Sequence, residues 1–316
     1  MTQLPAKQHI ADNFVTLKTF IVKIVNWIEA SFRFFFNDRV KSVFEQVVLI
    51  LAALGFLVHL ALILLNDFNV IQLRALPGGL LGSPISAIYT PFSFILIYEV
   101  YLLVYYLPAS FTTSIAKQFE IISLIKIRGI FKDISKLKLD ENWFRHRSDI
   151  VFMVDIVGFL ILFYLIFWFY KLKQQRPKPE PPKDIHEFIL WKKLICSVLI
   201  IILAALSIYS FVHWLGQVQA ASVAVIGEVT SINNIFYDEF FSVLILVDVF
   251  LLIVSFKYTE RYSQLIRNSG FIISTILIRL SFNSADFVDM GLVITGVLFG
   301  VLILRIYNSL AAVETE

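Results

Sequence analysis

Six stretches of this chain run for about twenty residues with hardly a charge: Phe44 to Leu65, Ser86 to Leu107, Ile150 to Tyr170, Leu194 to Trp214, Phe236 to Phe256 and Phe287 to Tyr307. Each reaches the ~20 apolar residues that a helix needs to cross a hydrocarbon core of about 30 Å. A segment apolar on all sides and facing lipid has to satisfy its own backbone hydrogen bonds, so each is expected to be helical. Two further stretches, Thr113 to Phe131 and Tyr262 to Phe282, are as long but carry charges. Wrapped on a helical wheel, Lys117, Glu120, Ser123, Lys126 and Arg128 spread around the circumference, whereas a surface helix gathers its polar residues on one side. These two helices are therefore expected to be buried, short surface helices being the alternative. Upstream, the heptad-like series Ile10, Phe14, Leu17, Ile21, Ile24, Ile28 and Phe35 predicts an amphipathic helix within residues 1–43. Such a helix lies in the membrane interface with its aromatic side down; a coiled-coil or partner-binding seam is the other use of that stripe.

The breaks between these stretches carry turn chemistry. Pro77-Gly78-Gly79 and Gly82-Ser83-Pro84 predict a tight turn, and the polar, proline-rich run from Arg176 to Lys183 cannot continue a helix. That run divides the chain into an N-terminal segment (1–43), a first membrane unit (44–170), a basic cytoplasmic linker (171–190), a second membrane unit (191–308) and a tail (309–316). The two units read alike. Residues 121–131, IISLIKIRGIF, match residues 272–282, IISTILIRLSF, at seven of eleven positions including the arginine. Leu49 to Leu54 returns as Ile201 to Leu206, Glu99 to Leu103 as Asp248 to Leu252, and Val154-Asp155 as Val288-Asp289. The pattern predicts an all-α, polytopic membrane protein of two tandem homologous four-helix repeats: six firm spans plus two charged helices.

Loop charge bears on whether the charged helices cross, since lysine and arginine in short loops accumulate on the cytoplasmic side. If they cross, the Arg176–Lys183 linker and the Lys257–Arg267 turn fall inside with the basic N-terminus, and Gln217–Asn234, which has no lysine or arginine, falls outside. Lys132–Arg147 is the exception, with five basic residues outside. Eight crossings with both termini cytoplasmic in a plasma (inner) membrane is the expectation; six crossings with inverted halves is the rival topology.

Composition agrees with this class: 58% of residues are hydrophobic, 31 are phenylalanine and only 16% are charged, too little polar surface for a water-soluble domain. The single cysteine, Cys196, excludes a disulfide framework and reads as a small core residue. No His-Glu-x-x-His, Gly-x-Ser-x-Gly or glycine-rich phosphate loop occurs, so neither an enzyme nor a cofactor is expected. The net charge of +3 implies little about partners beyond a lipid bilayer, with a homo-oligomer or a membrane complex open and nucleic acid not expected.

The candidate chemistry lies in the charges within the spans. A charge at mid-bilayer costs about 3 kcal/mol, so several on one helix need partners. Counting residues from the helix ends at 1.5 Å each brings Glu99 to the depth of Lys117, Arg128 to Asp155, Asp248 to Arg267 and Arg279 to Asp289. Such pairs either set register in a packed bundle or line an ion path. Arginine at both repeated positions is a permanent charge and suits a gate, an anchor or an anion-binding group. An acid on the second span, Trp143 and Asp155 ahead of and within a later span, and a cationic helix are also ingredients of a voltage sensor. There, however, the cationic helix follows the acidic one and carries a regular series of arginines, which this chain lacks. His59 and His213 read as hydrogen-bonded core or interfacial residues. Asn142-Trp143 with Arg145, His146 and Arg147, together with the clusters Tyr98, Tyr101, Tyr105, Tyr106 and Phe163, Phe167, Trp168, Phe169, read as anchors and packing. The functional expectation is a channel or transporter for a small ion or solute with its path between the halves; the alternative is a non-catalytic scaffold or sensor subunit.

Overall fold

The computed structural model describes residues 23, 25–68, 84–134, 146–175, 185–223, 232–259, 261–282, 284 and 287–314. Among them the chain is all-helical, with no strand: α1 (residues 25–35), α2 (Asp38–Asp67), a 3₁₀ turn (Pro84–Ile88) leading into α3 (Tyr89–Tyr105), α4 (Phe111–Ile134), α5 (Arg147–Gln174), α6 (Ile185–Val223), α7 (Ile232–Lys257), α8 (Tyr262–Ser281) and α9 (Phe287–Val313). Six helical stretches are long and apolar enough to cross a membrane: Val25–Asp67, Pro84–Tyr105, Arg147–Gln174, His186–Tyr209, Glu239–Lys257 and Phe287–Val313. They correspond one for one to the six long apolar stretches of the sequence and mark a multi-pass membrane protein.

Polarity and burial are inverted relative to a water-soluble bundle. Only 17% to 47% of the most apolar window of each candidate span is buried inside the molecule. Leu49, Ile50, Leu54, Leu57 and Val58 on α2, Leu160, Phe163 and Phe167 on α5, and Leu246 and Ile253 on α7 point outward, as a lipid solvent allows. The two charged helices lie inside instead. In α8, Ser263, Arg267, Asn268, Ser274, Thr275, Arg279 and Ser281 are buried together with Phe271, Ile272 and Ile278. In α4, Thr112, Ser114, Gln118, Ser123 and Lys126 are buried with Ile115, Phe119, Ile121, Ile122 and Ile125. Helix α4 packs on α3, α5 and α8, and α8 on α7, α9 and α4, while α5 lies along α9. In α4 this follows the wheel argument; in α8 the polar residues gather on the buried face while Ile273 and Leu280 point outward.

Small residues set how closely α8 and α9 approach. Gly296 and Gly300 form a Gly-x-x-x-Gly stripe on α9, the spacing that lets helix backbones meet in lipid. A Cβ on Gly296 would lie 3.0 Å from the Ser274 carbonyl oxygen, and one on Gly300 2.7 Å from the Phe119 ring. The Ser274 hydroxyl uses that closeness to donate to the Gly296 carbonyl at 2.6 Å. Helices α2 and α3 are joined differently, by a polar zip: Tyr98 donates to Glu45 (2.8 Å), Tyr105 to Asp38 (2.7 Å), and Lys41 to the Tyr106 hydroxyl (2.9 Å). The tyrosine cluster, expected as packing, thus also holds the acids and lysine of α2's first two turns.

Residues 1–22 and 24 of the expected amphipathic helix, Pro77 to Ser83, Arg176 to Lys183, and Trp143 and Arg145 lie outside the described residues, as does the His213 side chain. Where the N-terminal segment is described, part of its apolar side covers the bundle instead of lipid. Ile28 and Phe36 are buried, Phe36 stacks on Phe32 and Tyr101, and Tyr101 donates to the Phe35 carbonyl at 3.0 Å. Trp27 and Phe34 keep the outward side. The basic linker is shorter than its charges imply: Lys171 and Lys173 belong to α5, and Lys192 and Lys193 to α6.

Candidate functional site

The charges of α4 and α8 meet partners on neighbouring helices, and the partners differ from those that depth-counting gives. Arg128 of α4 pairs with Glu99 of α3 and donates to the Phe92 carbonyl at 2.6 Å. Arg279 of α8 pairs with Asp248 of α7 at 2.6 Å, and Thr275 donates to the same carboxylate at 2.9 Å. Among the described ion pairs Glu99 meets Arg128 and Asp248 meets Arg279, in place of the expected Glu99 with Lys117, Asp248 with Arg267 and Arg279 with Asp289, and Arg128, expected with Asp155, has Glu99. Lys117 instead binds Glu120 at 2.7 Å, and Glu120 also accepts from Tyr170. Arg267 donates to Asn268 at 2.9 Å and lies over the Tyr307 ring. Asp289 takes Lys126, with Asp155 close enough to act on the same ammonium.

The physical reason is the direction of side chains on a helix. Every Cα–Cβ bond leans towards the helix N-terminus. Arg128 and Arg279, near the C-terminal ends of their helices, therefore reach back into the bundle, where Glu99 and Asp248 lie. Lys117 and Arg267, near the N-terminal ends, lean towards the starts of their helices and away from those acids. The acids and bases that the sequence aligns, Glu99 with Asp248 and Arg128 with Arg279, thus form matching pairs. The backbone holds each pair: α3 and α4 share a short turn at residues 106–110, and α7 and α8 one near Tyr258.

The Asp248–Arg279 pair belongs to a larger buried cluster. The second Arg279 amino group donates to the Gln118 side-chain oxygen at 3.2 Å, joining α8 to α4. Gln118 in turn donates to Ser114 at 3.4 Å. Lys192 of α6 comes in from the side, only 3% exposed, with its ammonium donating to the Ala109 carbonyl at 2.8 Å. Its charge lies 4.5 Å from the Phe111 ring and 5.0 Å from that of Phe188. Ser114, Gln118, Lys192 and Asp248, with Leu107, Phe111, Ile115, Leu251 and Ile272, enclose a void of ≈ 10 Å³, about the space one water needs.

The matching face of α8 is open. In the register that aligns Ile121 with Ile272, the void-lining Phe111, Ser114, Ile115 and Gln118 correspond to Tyr262, Leu265, Ile266 and Ser269. Those four line an apolar groove of ≈ 540 Å³ on the flank of α8 and α9, with Phe256, Phe299 and Ile303. The cluster contributors Lys192, Gln118 and Thr275 are not among the residues that sequence reasoning selected. Lys192 hides at the edge of a basic linker; Gln118 one helical turn from Ser114 was the legible signal for a polar stripe on α4. His59 meets the expectation of a hydrogen-bonded residue, 2.6 Å from Thr90. Among the described residues no three His, Cys, Asp or Glu side chains converge as metal ligands. No protein-family profile, curated protein or solved structure matches the chain.

Proposed function

We propose that this chain is a membrane transport protein, a channel or carrier for a small ion or solute, without enzymatic chemistry. In this reading it consists of two tandem four-helix repeats, α2–α5 and α6–α9, that cross a plasma (inner) membrane eight times in parallel with cytoplasmic termini. The path follows the seam between the repeats, where α4 meets α8, and the structure corresponds to a closed state. One observation carries the reading: a buried charge cluster, Asp248, Arg279, Gln118 and Lys192, drawn from α7, α8, α4 and α6, where the two proposed units would meet. Ionisable groups inside a membrane mark ion and substrate paths more often than they mark anything else, and parallel repeats are a common build for transporters. Glu99, Lys117, Arg128, Asp155, Arg267 and Asp289 flank that seam and shape its potential.

The test is reconstitution into liposomes with an ion-flux readout, comparing wild type with Arg128→Ala and Arg279→Ala. Flux in the wild type that changes with Arg279→Ala supports the reading. Folded, reconstituted protein that passes nothing under any ion gradient overturns it. The second reading, a membrane scaffold or sensor subunit that binds partners or lipids, draws on one observation: the space beside Asp248 holds about one water. A packed interior with outward apolar flanks is what a purely structural bundle presents. Co-purification of a stoichiometric membrane partner, with no flux from the chain alone, favours it.

A further inference from the structure

The void beside Lys192 has an imbalance of charge. Lys192 and Asp248 line it, and behind Asp248 stands a second cation, Arg279, which together with Thr275 takes one of the two carboxylate oxygens. Among the described residues no carboxylate lies within ion-pair distance of Lys192, which is nonetheless dressed as a cation: a backbone carbonyl accepts from it and two aromatic faces flank it. A lysine ammonium has three donors, and one carbonyl uses one of them. Burying a net positive charge without a counterion is strongly unfavourable.

We infer that Lys192 and Ser114 form a binding site for a small monovalent anion of halide size, at the junction of α4, α6 and α7. This rests on the transport reading and gives it a substrate class. Size limits the ligand to a single atom: a void of ≈ 10 Å³ admits about one water-sized particle, a halide asks its walls to give slightly, and nitrate, phosphate or a carboxylate would need the helices to part. Chemistry selects an anion: the Lys192 ammonium supplies charge, and the Ser114 hydroxyl, which accepts from Gln118, has its own proton to donate inward. Asp248 does not repel the anion strongly, because Arg279 neutralises it on the opposite side. Gln118 ties the site to Arg279, so occupancy and the junction between the units are linked through one side chain.

The experiment measures thermal unfolding of the purified full chain in detergent as chloride or bromide replaces gluconate at constant ionic strength. The inference expects a saturable rise in midpoint with halide, weakened about tenfold or more in apparent affinity by Lys192→Gln and less by Ser114→Ala. A bromide-specific anomalous peak beside Lys192 in crystals of the wild type gives the same answer if Lys192→Gln fails to fold. A wild-type midpoint indifferent to halide means that Lys192 is buried uncharged and overturns the inference, as does halide dependence that survives Lys192→Gln. Halide binding without flux in liposomes leaves the site standing and removes transport; flux of another ion without halide binding does the reverse.

Discussion

Glu99–Arg128 and Asp248–Arg279 are the same chemical pair in two settings. In the first, an amino group of the arginine donates at home, to the Phe92 carbonyl of the helix that carries its acid. In the second, it reaches out of its own unit to Gln118 on α4. The faces of the helices differ in the same sense: that of α4 is closed by Lys192, Asp248 and Leu251, while the matching face of α8 is open as an apolar groove. One pair is thus internal furniture and the other a joint. Two helix pairs whose acids and arginines the sequence aligns have different neighbours, and the polar, titratable neighbours have gathered at a single place. A purely structural role for the charges predicts that breaking either pair costs stability alone; a functional joint predicts that breaking the second pair also changes flux.

The largest effect should follow removal of one partner of the joint. Arg279→Ala leaves Asp248 charged and buried and is expected to cost about 3–5 kcal/mol, read as a drop in the thermal midpoint of the purified protein. Arg128 is more exposed than Arg279, with 10% of its side chain accessible against 3%, so Arg128→Ala should cost less. Replacing both members of the second pair, Asp248→Leu with Arg279→Met, should recover most of the stability, because a buried pair is often no better than well-packed apolar residues. If that double variant is as stable as wild type but has altered flux, the pair is at the joint for function. Equal losses from the two arginine variants would dissolve the distinction between the settings.

Glycines test the packing side of the comparison. Gly296→Ala places a methyl 3.0 Å from the Ser274 carbonyl oxygen and 3.3 Å from the Ile278 amide nitrogen, neither of which can turn away. A loss of about 1–3 kcal/mol is expected, as for overpacking in a tight core. Gly129, on α4, has nothing within 4 Å of the position a Cβ would take. Gly129→Ala should be neutral or stabilising by up to about 1 kcal/mol through helix propensity alone. Thermal midpoints of the two variants decide it, and a large loss at Gly129 would mean that α4 carries contacts unlike those described.

Much of this architecture is legible in the residues. Apolar length gives the six candidate spans, and polar residues on all sides of 113–131 give a buried helix; 262–282, which repeats its motif, buries its polar side with Ile273 and Leu280 outward. The charged groups themselves are legible too, but their pairing is not. Counting 1.5 Å per residue places Cα atoms, whereas Arg128 and Arg279 act at the far end of long stems that lean back along the helix. Lys192 escapes notice for the opposite reason: beside Lys193 and a proline-rich run it reads as a loop charge, and nothing local says that α6 begins at Ile185 and carries it inside. The α2–α3 zip needs two helices read together, Asp38, Lys41 and Glu45 against Tyr98, Tyr105 and Tyr106.

That zip gives a smaller contrast. In the register that matches Glu99 with Asp248, Tyr98 and Tyr105 correspond to Val247 and Val254, and the α6–α7 hairpin has its tyrosine–acid bond elsewhere, from Tyr258 to Glu187 at 3.1 Å. Tyr98→Phe should cost about 0.5–1.5 kcal/mol, the worth of one hydrogen bond, and Tyr105→Phe less, because its bond to Asp38 is exposed. Double-mutant cycles with Glu45→Gln and Asp38→Asn isolate each bond. Coupling near zero in both would return these tyrosines to simple packing.

The smallest effect concerns how the two charged helices begin. Helix α4 is capped locally: the Ser110 hydroxyl accepts from the Thr113 amide at 3.4 Å and bonds to the Thr113 hydroxyl at 3.0 Å. Helix α8 is capped from a distance by Glu314, just past the end of α9, which accepts from the Ser263 amide at 3.1 Å and from its hydroxyl at 2.7 Å. A carboxylate suits a helix N-terminus, where unpaired amides and the dipole favour negative charge. The bonds from Ser263, helped by nearby Arg261, hold the Glu314 carboxyl below its ordinary range. A depressed carboxylate contributes its stability above the ordinary glutamate range and loses it as pH falls through the lowered folded value. Acid should therefore fray the first turn of α8 while leaving that of α4 unchanged, since a serine cap does not titrate. Hydrogen exchange of amides 263–266 against 112–115, corrected for intrinsic rates, reads the difference directly. Glu314→Gln should abolish the pH dependence at α8, and a pH response of equal size at both helix starts would show that the remote cap contributes nothing of its own.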